Sequence, residues 1–313
     1  MELKEALFKE LVKQGPLVES GKRVWNIARR KFLYWNEGLA KSFQKLKEHP
    51  RYQATIVKSE LDLLKKNKNV ILDEVVKGPF NLIDMGSGDG SKAKVFLGLF
   101  EGKNADIRYC PVNVIDYLTQ LTLENLKKEK FDFVKEYFSH LASYEKLDEV
   151  ASKVRGAKYQ RNVILLLGSI LASFDINDYL FHLSNAMFKG DYLVIGNGIR
   201  KGERLVNIET YKHPIFSEWF MHLMNAIGFN ENDVEYGARF NEMRVEMFYK
   251  MKVDKSIEYS GKKIDFKQGD EILVAVLYKF YENELKKFCE MYFSDVKFFK
   301  DSDEEYALVL CRK

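Results

Sequence analysis

A chain of 313 residues is long enough for one large domain or two modest ones, and 46% hydrophobic content with 23 Phe and 17 Tyr supplies a packed core, which excludes a disordered chain. Fifty basic and 46 acidic residues nearly cancel to +4, so overall charge gives no reason to expect a nucleic acid or a polybasic membrane patch. The three cysteines, Cys110, Cys289 and Cys311, lie far apart with no CxxC or Cys/His spacing suited to zinc, and fit a reducing cytoplasm.

The N-terminus, Met1-Glu-Leu-Lys-Glu-Ala-Leu-Phe-Lys-Glu10, lacks the basic region and apolar run of a signal peptide, and no stretch approaches about 18 uninterrupted apolar residues. A soluble cytoplasmic protein is expected. Residues 1 to about 75 are charged and periodic, with Leu61, Leu63 and Leu64 spaced for an amphipathic helix and few strand signals, which predicts a helical lead-in. Short apolar runs follow at Phe80 to Met85, Ile107 to Val114, Asn162 to Leu167 and Tyr192 to Ile195, separated by helix-like stretches. That alternation predicts parallel βαβ units in a doubly wound α/β sheet.

From about Gly196 to Tyr281 the pattern changes. A helical stretch around Phe216 to Ile227 and alternating segments Arg244 to Met251 and Glu271 to Phe280 read as an insertion that would form, with the N-terminal helices, a smaller α+β cap over the carboxyl edge of the sheet. The boundaries expected are 61–196 with 284–313 for the main domain, and 1–60 with 197–283 for the cap. Two last strand candidates, Val296 to Phe299 and Tyr306 to Cys311, are so close that they must be antiparallel. A parallel sheet finished by such a hairpin is the usual end of the class I methyltransferase fold, a Rossmann-like architecture.

The segment Asn81-Leu-Ile-Asp-Met-Gly-Ser-Gly-Asp-Gly-Ser91 is a strand running into a glycine loop. Gly86, Gly88 and Gly90 let the backbone turn tightly and approach a ligand. Asp84 just before them suits an ammonium and would be badly placed against phosphates, so the loop points to S-adenosylmethionine rather than a dinucleotide. Lys92, at the start of the next helix, would face the cofactor carboxylate. A second strand ending near Asn113 lies where ribose hydroxyls are read, although an amide stands there instead of a carboxylate.

Beyond the loop, Leu82-Ile-Asp-Met-Gly-Ser-Gly-Asp-Gly-Ser-Lys92, Tyr109-Cys-Pro-Val-Asn-Val114, Leu167-Gly-Ser-Ile-Leu-Ala-Ser-Phe174, Arg244-Val-Glu-Met247 and Phe266-Lys-Gln-Gly-Asp-Glu-Ile272 followed by Tyr278-Lys-Phe280 recur in order and spacing in one group of class I enzymes. Over most of its length the chain resembles the histidine-specific Nα-methyltransferases of ergothioneine biosynthesis. The resemblance implies S-adenosylmethionine as cofactor, with Asp84, Gly86, Ser87, Gly88, Lys92 and Gly168 around it, Asn113 at the ribose position and Glu136-Tyr137 as the acidic and aromatic pair at the adenine.

On the substrate side the resemblance breaks. Ser173 stands where the family has an Asn that binds the amino acid, and Ala275 and Leu277 stand where it grips the imidazole with Glu and Ser. Losing both polar partners should cost a site built for imidazole on the order of 10⁴ in discrimination. Histidine is therefore not the expected substrate. Tyr52 and Tyr211 fall where substrate-contacting tyrosines are expected, and Tyr211 is the candidate that orients the lone pair of an acceptor amine.

The resulting expectation is an N-methyltransferase for a small amino acid or amine other than histidine. Two alternatives remain: a methyltransferase for a peptide or protein side chain, and a degenerate S-adenosylmethionine-binding partner protein. Elsewhere, His140, His182, His213 and His222 show no ligand spacing, Lys65-Lys66 and Lys127-Lys128 read as solvated helix faces, and Glu246 is placed for a structural ion pair with Arg244 or Arg239.

Overall fold

The computed structural model describes residues 2–19, 21–53, 57–202 and 208–313. Among them run the strands β1 (Pro16–Glu19), β2 (Lys22–Asn26), β3 (Phe80–Met85), β4 (Ile107–Asn113), β5 (Val134–Tyr137), β6 (His140–Leu141), β7 (Arg161–Leu166), β8 (Tyr192–Gly198), β9 (Val234–Asn241), β10 (Arg244–Met251), β11 (Lys255–Tyr259), β12 (Lys262–Phe266), β13 (Glu271–Tyr278), β14 (Asp295–Lys300) and β15 (Tyr306–Arg312). The chain divides into two compact units. The first comprises Met1–Arg51 and Arg204–Lys279, the second Tyr52–Glu203 and Phe280–Lys313.

In the second unit the strands lie in the order β14-β15-β8-β7-β3-β4-β5, with β6 also paired to β4. The pairs β3·β4, β3·β7, β7·β8 and β4·β5 are parallel, while β15 runs antiparallel to both β8 and β14. Every residue of β3 and β8 is buried, as continuous apolar runs covered on both faces require. One face packs Phe80, Leu82 and Tyr109 against Phe96, Leu97, Phe100 and Leu126 of the covering helices. Successive strands are laid outward from β3 on one side and from β7 on the other, so the order reverses between them. Ligands of open α/β sheets bind in the crevice at such a reversal, outside the carboxyl ends of the strands. The order and the antiparallel β15 are those of the class I, Rossmann-like methyltransferase fold.

The first unit is built on a sheet of order β1-β2-β13-β10-β9, with β11 and β12 as a separate hairpin. Its helix Glu37–Glu48 starts at Asn36, whose side chain accepts from the Leu39 N–H at 3.0 Å. Helix Pro214–Ala226 packs beside it through Phe43 and Trp219, ring centroids 5.0 Å apart.

The N-terminal segment departs from an all-helical lead-in: β1 and β2 pair antiparallel in register Glu19↔Lys22, with Gly21 at φ +77°. Its short first strand exposes Leu17 and Val18 and so carries no alternation to read. Among the described residues, no helix is long and apolar enough to cross a membrane.

Candidate active site

The loop after β3 uses its own hydrogen-bond donors. Gly86 and Ser87 donate N–H to the Val112 carbonyl at 2.8 and 3.4 Å, Gly90 donates to the Ser87 carbonyl at 2.9 Å, and Ser91 donates to Asp89 Oδ1 at 3.0 Å. Gly88 donates to Asn113 Oδ1 at 3.1 Å. A phosphate nest needs such donors aimed at the ligand, and here they are spent inside the loop. Gly86 sits at φ +75°, and a Cβ there would fall 2.7 Å from the Tyr144 hydroxyl.

At the strand ends beside the loop stands a buried charge cluster. Asp84, the fifth residue of β3, is 4% exposed and its Oδ2 accepts from the Tyr109 hydroxyl at 2.7 Å. Among the described residues its Oδ1 accepts no hydrogen bond. Burial pushes this carboxyl up to about 6, against the opposing pull of the Tyr109 hydroxyl and the Lys92 ammonium. Lys92, in the first turn of helix Ser91–Gly98, pairs with Glu60 of helix Lys58–Lys66. Glu60 accepts in addition from the Gly168 N–H at 2.7 Å and the Tyr306 hydroxyl at 2.6 Å. Gly168, just past β7, has φ +81°, and a Cβ there would lie 2.6 Å from Lys92 Nζ.

Sequence reasoning missed Glu60, Tyr109, Tyr144 and Tyr306. Tyr109 carried a usable signal, since a hydroxyl at a buried position of a central strand needs a buried acceptor. Glu60 carried none.

Asn113 closes β4 and is 4% exposed. Its Nδ2 donates to Ser87 Oγ at 2.7 Å while its Oδ1 receives the Gly88 N–H, so the amide holds the loop in shape. Glu136 and Tyr137 are not brought to this edge. They pair with Arg108 and Tyr109, five and four positions short of Asn113, and Glu136 forms an ion pair with Arg108 at 2.7 Å. At about 3.3 Å per strand residue, Glu136 lies some ~16 Å back from the end of β4. The residues level with Val112 and Asn113 are His140 and Leu141. The short β5 is held by pairing to the first half of β4.

Two other candidates belong to this unit. Ser173 ends the 3-10 turn Leu171–Ser173 and donates its N–H to the Ile170 carbonyl at 3.0 Å. Tyr52 ends the short helix Pro50–Tyr52, half-buried, within electrostatic reach of Tyr306.

In the first unit, strand register decides what surrounds Ala275 and Leu277. Ala275 pairs with Met247, which pairs with Ala238; Leu277 pairs with Val245, which pairs with Phe240. Directly paired residues project to the same side, so these six apolar side chains share one face. The charged residues of the same strands are on the other face, where Glu246, fully buried, binds Arg239 at 2.7 Å, Arg244 at 2.6 Å and Asn241 at 3.2 Å, while Tyr236 and Tyr249 continue the first face with their hydroxyls given to the Tyr211 and Ser217 carbonyls. Tyr211 ends helix Ile208–Tyr211 and is 5% exposed; its carbonyl accepts from the Tyr236 hydroxyl at 2.7 Å, and Lys279 Nζ lies 5.5 Å from its ring centroid.

The family described as histidine-specific methyltransferase, SAM-dependent, matches residues 17–313. The chain belongs to that family. The chain is also similar to ergothioneine biosynthesis protein 1 of Schizosaccharomyces pombe (strain 972 / ATCC 24843), 26% identical over 212 residues, covering 63% of this chain and 26% of that protein. It thus spans about a quarter of that relative's length.

Solved structures similar to this methyltransferase include an S-adenosylmethionine-dependent methyltransferase from Clostridium acetobutylicum ATCC 824 (12% identity, 87% of this chain and 98% of that one, TM-score 0.46). PH0226 from Pyrococcus horikoshii OT3 (9%, 89% and 100%, 0.46) and human N-acetylserotonin methyltransferase with its cofactor (12%, 99% and 65%, 0.42) are others.

The residues around the loop fit the cofactor of this methyltransferase family. Asp84 and Glu60 contribute two carboxylates and Lys92 one ammonium. S-adenosylmethionine carries the complementary set, an ammonium, a sulfonium and one carboxylate. Asp84 Oδ1 is available to the ammonium and Lys92 to the carboxylate, and the missing Cβ atoms of Gly86 and Gly168 let Tyr144 and Lys92 close in on the strand ends.

Proposed function

We propose that this methyltransferase transfers the methyl group to the nitrogen of a small amino acid or amine other than histidine, one with an apolar side chain. The observation that carries this reading is the face shared by Ala238, Phe240, Val245, Met247, Ala275 and Leu277. An imidazole buried there would find no hydrogen-bond partner among these six side chains, because the charged residues of the same strands engage one another on the opposite face. Leaving both ring nitrogens unpaired costs about 1–3 kcal/mol each. An aliphatic or aromatic hydrocarbon side chain is stabilised there by about 1.5–3 kcal/mol.

S-adenosylmethionine supplies an electrophilic methyl group on a sulfonium. The chain's own residues then have three tasks: to hold the cofactor, to present a neutral amine in line with the methyl carbon, and to exclude water. Asp84, Gly86, Ser87, Gly88, Lys92, Asn113 and Gly168 serve the first. Tyr211 serves the second, its hydroxyl accepting a hydrogen bond from the amine N–H so that the lone pair points outward. Ser173 and Tyr52 supply polar contacts to the amino-acid backbone of the acceptor.

A panel of amino acids and amines scored for S-adenosylhomocysteine release tests the reading. Turnover is expected with apolar members, and Tyr211→Phe should lower kcat on the best of them by about 10²–10⁴ with the cofactor KM unchanged. If no panel member is turned over while S-adenosylmethionine still binds, the small-molecule reading fails.

A further inference from the structure

Glu60 is the one charged residue among the buried positions of helix Lys58–Lys66, whose other buried residues are Leu63 and Leu64. A carboxylate with 0% exposure persists only where hydrogen bonds or an opposite charge offset its burial. Its Oε1 takes the Gly168 N–H and the Tyr306 hydroxyl, at 2.7 and 2.6 Å, and its Oε2 faces Lys92 Nζ. The fold also makes room for it: a Cβ on Gly196 of β8 would fall 1.8 Å from Oε1, so glycine there follows from the approach of Glu60. Four segments distant in sequence, at residues 92, 168, 196 and 306, thus converge on one side chain.

We infer that Glu60 is a positioning residue for the cofactor, its carboxylate holding the Lys92 ammonium at the strand edge, where that ammonium receives the carboxylate of the methionyl group. The inference rests on the reading that Lys92 meets the cofactor carboxylate. Lys92 stands on a flexible four-carbon stem, its side chain 20% exposed, with Glu60 as its one ion-pair partner among the described residues. A lysine without a fixed carboxylate turns its ammonium toward water. The ammonium, paired with Glu60 on one side, keeps N–H donors for the ligand, and the Gly168 backbone caps the position from the side of β7.

The test uses the full chain and two probes that differ in one group, S-adenosylmethionine and decarboxylated S-adenosylmethionine, their dissociation constants measured by calorimetry. Wild type should prefer the carboxylate-bearing ligand. Glu60→Gln keeps an acceptor for Gly168 and Tyr306 but removes the charge. It should weaken S-adenosylmethionine on the order of tenfold, leave the decarboxylated ligand within about twofold, and raise the cofactor KM without changing kcat. Lys92→Met should erase the preference. Tyr306→Phe, which removes one donor to Glu60, should give a smaller loss of the same preference and serves if Glu60→Gln does not fold.

Equal weakening of both ligands by Glu60→Gln would show a structural role only, and tighter S-adenosylmethionine binding would show Glu60 competing for Lys92; either overturns the inference. If Lys92→Met erases the preference and Glu60→Gln and Tyr306→Phe leave it intact, the inference alone fails. If Lys92→Met leaves it intact, the underlying reading of Lys92 fails and takes the inference with it.

Discussion

Asp84 holds its charge in a place that resists charge. In the unfolded chain its pKa is near 3.8, and in the fold burial lifts it to about 6. A carboxyl raised on folding contributes stability that is full below the unfolded value and lost as pH rises through the folded one, here about 3 kcal/mol between about pH 4 and 6. Asp84→Asn, which removes the buried charge and keeps the shape, should therefore raise the melting temperature at pH 8. It should also weaken the cofactor, because the ionised form is the one that attracts an ammonium. The dissociation constant of S-adenosylmethionine should increase as pH falls through about 6 in the wild type and be flat in Asp84→Asn; calorimetry between pH 5 and 8 reads both. A second prediction at this scale concerns Gly196. Gly196→Ala sets a methyl against Glu60 and should destabilise the chain by about 1–3 kcal/mol in denaturant unfolding.

Sheet parity governs the acceptor side. Because side chains alternate along β10 and β13, one pair of substitutions on one face can alter recognition without touching the Glu246 network on the other. Ala275→Glu with Leu277→Ser restores the polar pair that the family resemblance implies for imidazole, and the double variant should gain histidine turnover, measured as S-adenosylhomocysteine release, while losing its apolar acceptor. The elements themselves were legible in unequal measure. β3 and β10 have the bounds that their apolar run and their alternation predict, since burial on two faces or on one writes itself into those patterns. The hairpin of β11 and β12 escaped notice because its strands are rich in lysine and carry little alternation. The level at which Glu136 and Tyr137 sit on the sheet was illegible for another reason: register is a property of the partner strand, and nothing local records that Ile107 pairs with Val134 before the register shifts. Glu60 was hidden in an amphipathic helix whose charged residues read as its solvated face. Its partners are contributed by segments between 32 and 246 residues away, and only the folded chain brings them together.

For the molecule as a whole, the glycine loop that marks the sequence most strongly is also where the fold reverses strand order, and the family match extends far beyond it, over residues 17–313. Cofactor and fold follow from that agreement; the acceptor proposed above is argued from six apolar side chains of the first unit. Binding of S-adenosylmethionine to the folded chain alone should raise apparent stability by about 2.7 kcal/mol at a hundredfold excess over its dissociation constant. The measurement that bears most directly on the account is the ratio of kcat/KM for histidine to that for the best apolar amino acid or amine, with S-adenosylhomocysteine as the common readout. The account predicts a ratio below about 10⁻³, set by the unpaired imidazole nitrogens. A ratio at or above one would contradict it and return histidine as the substrate.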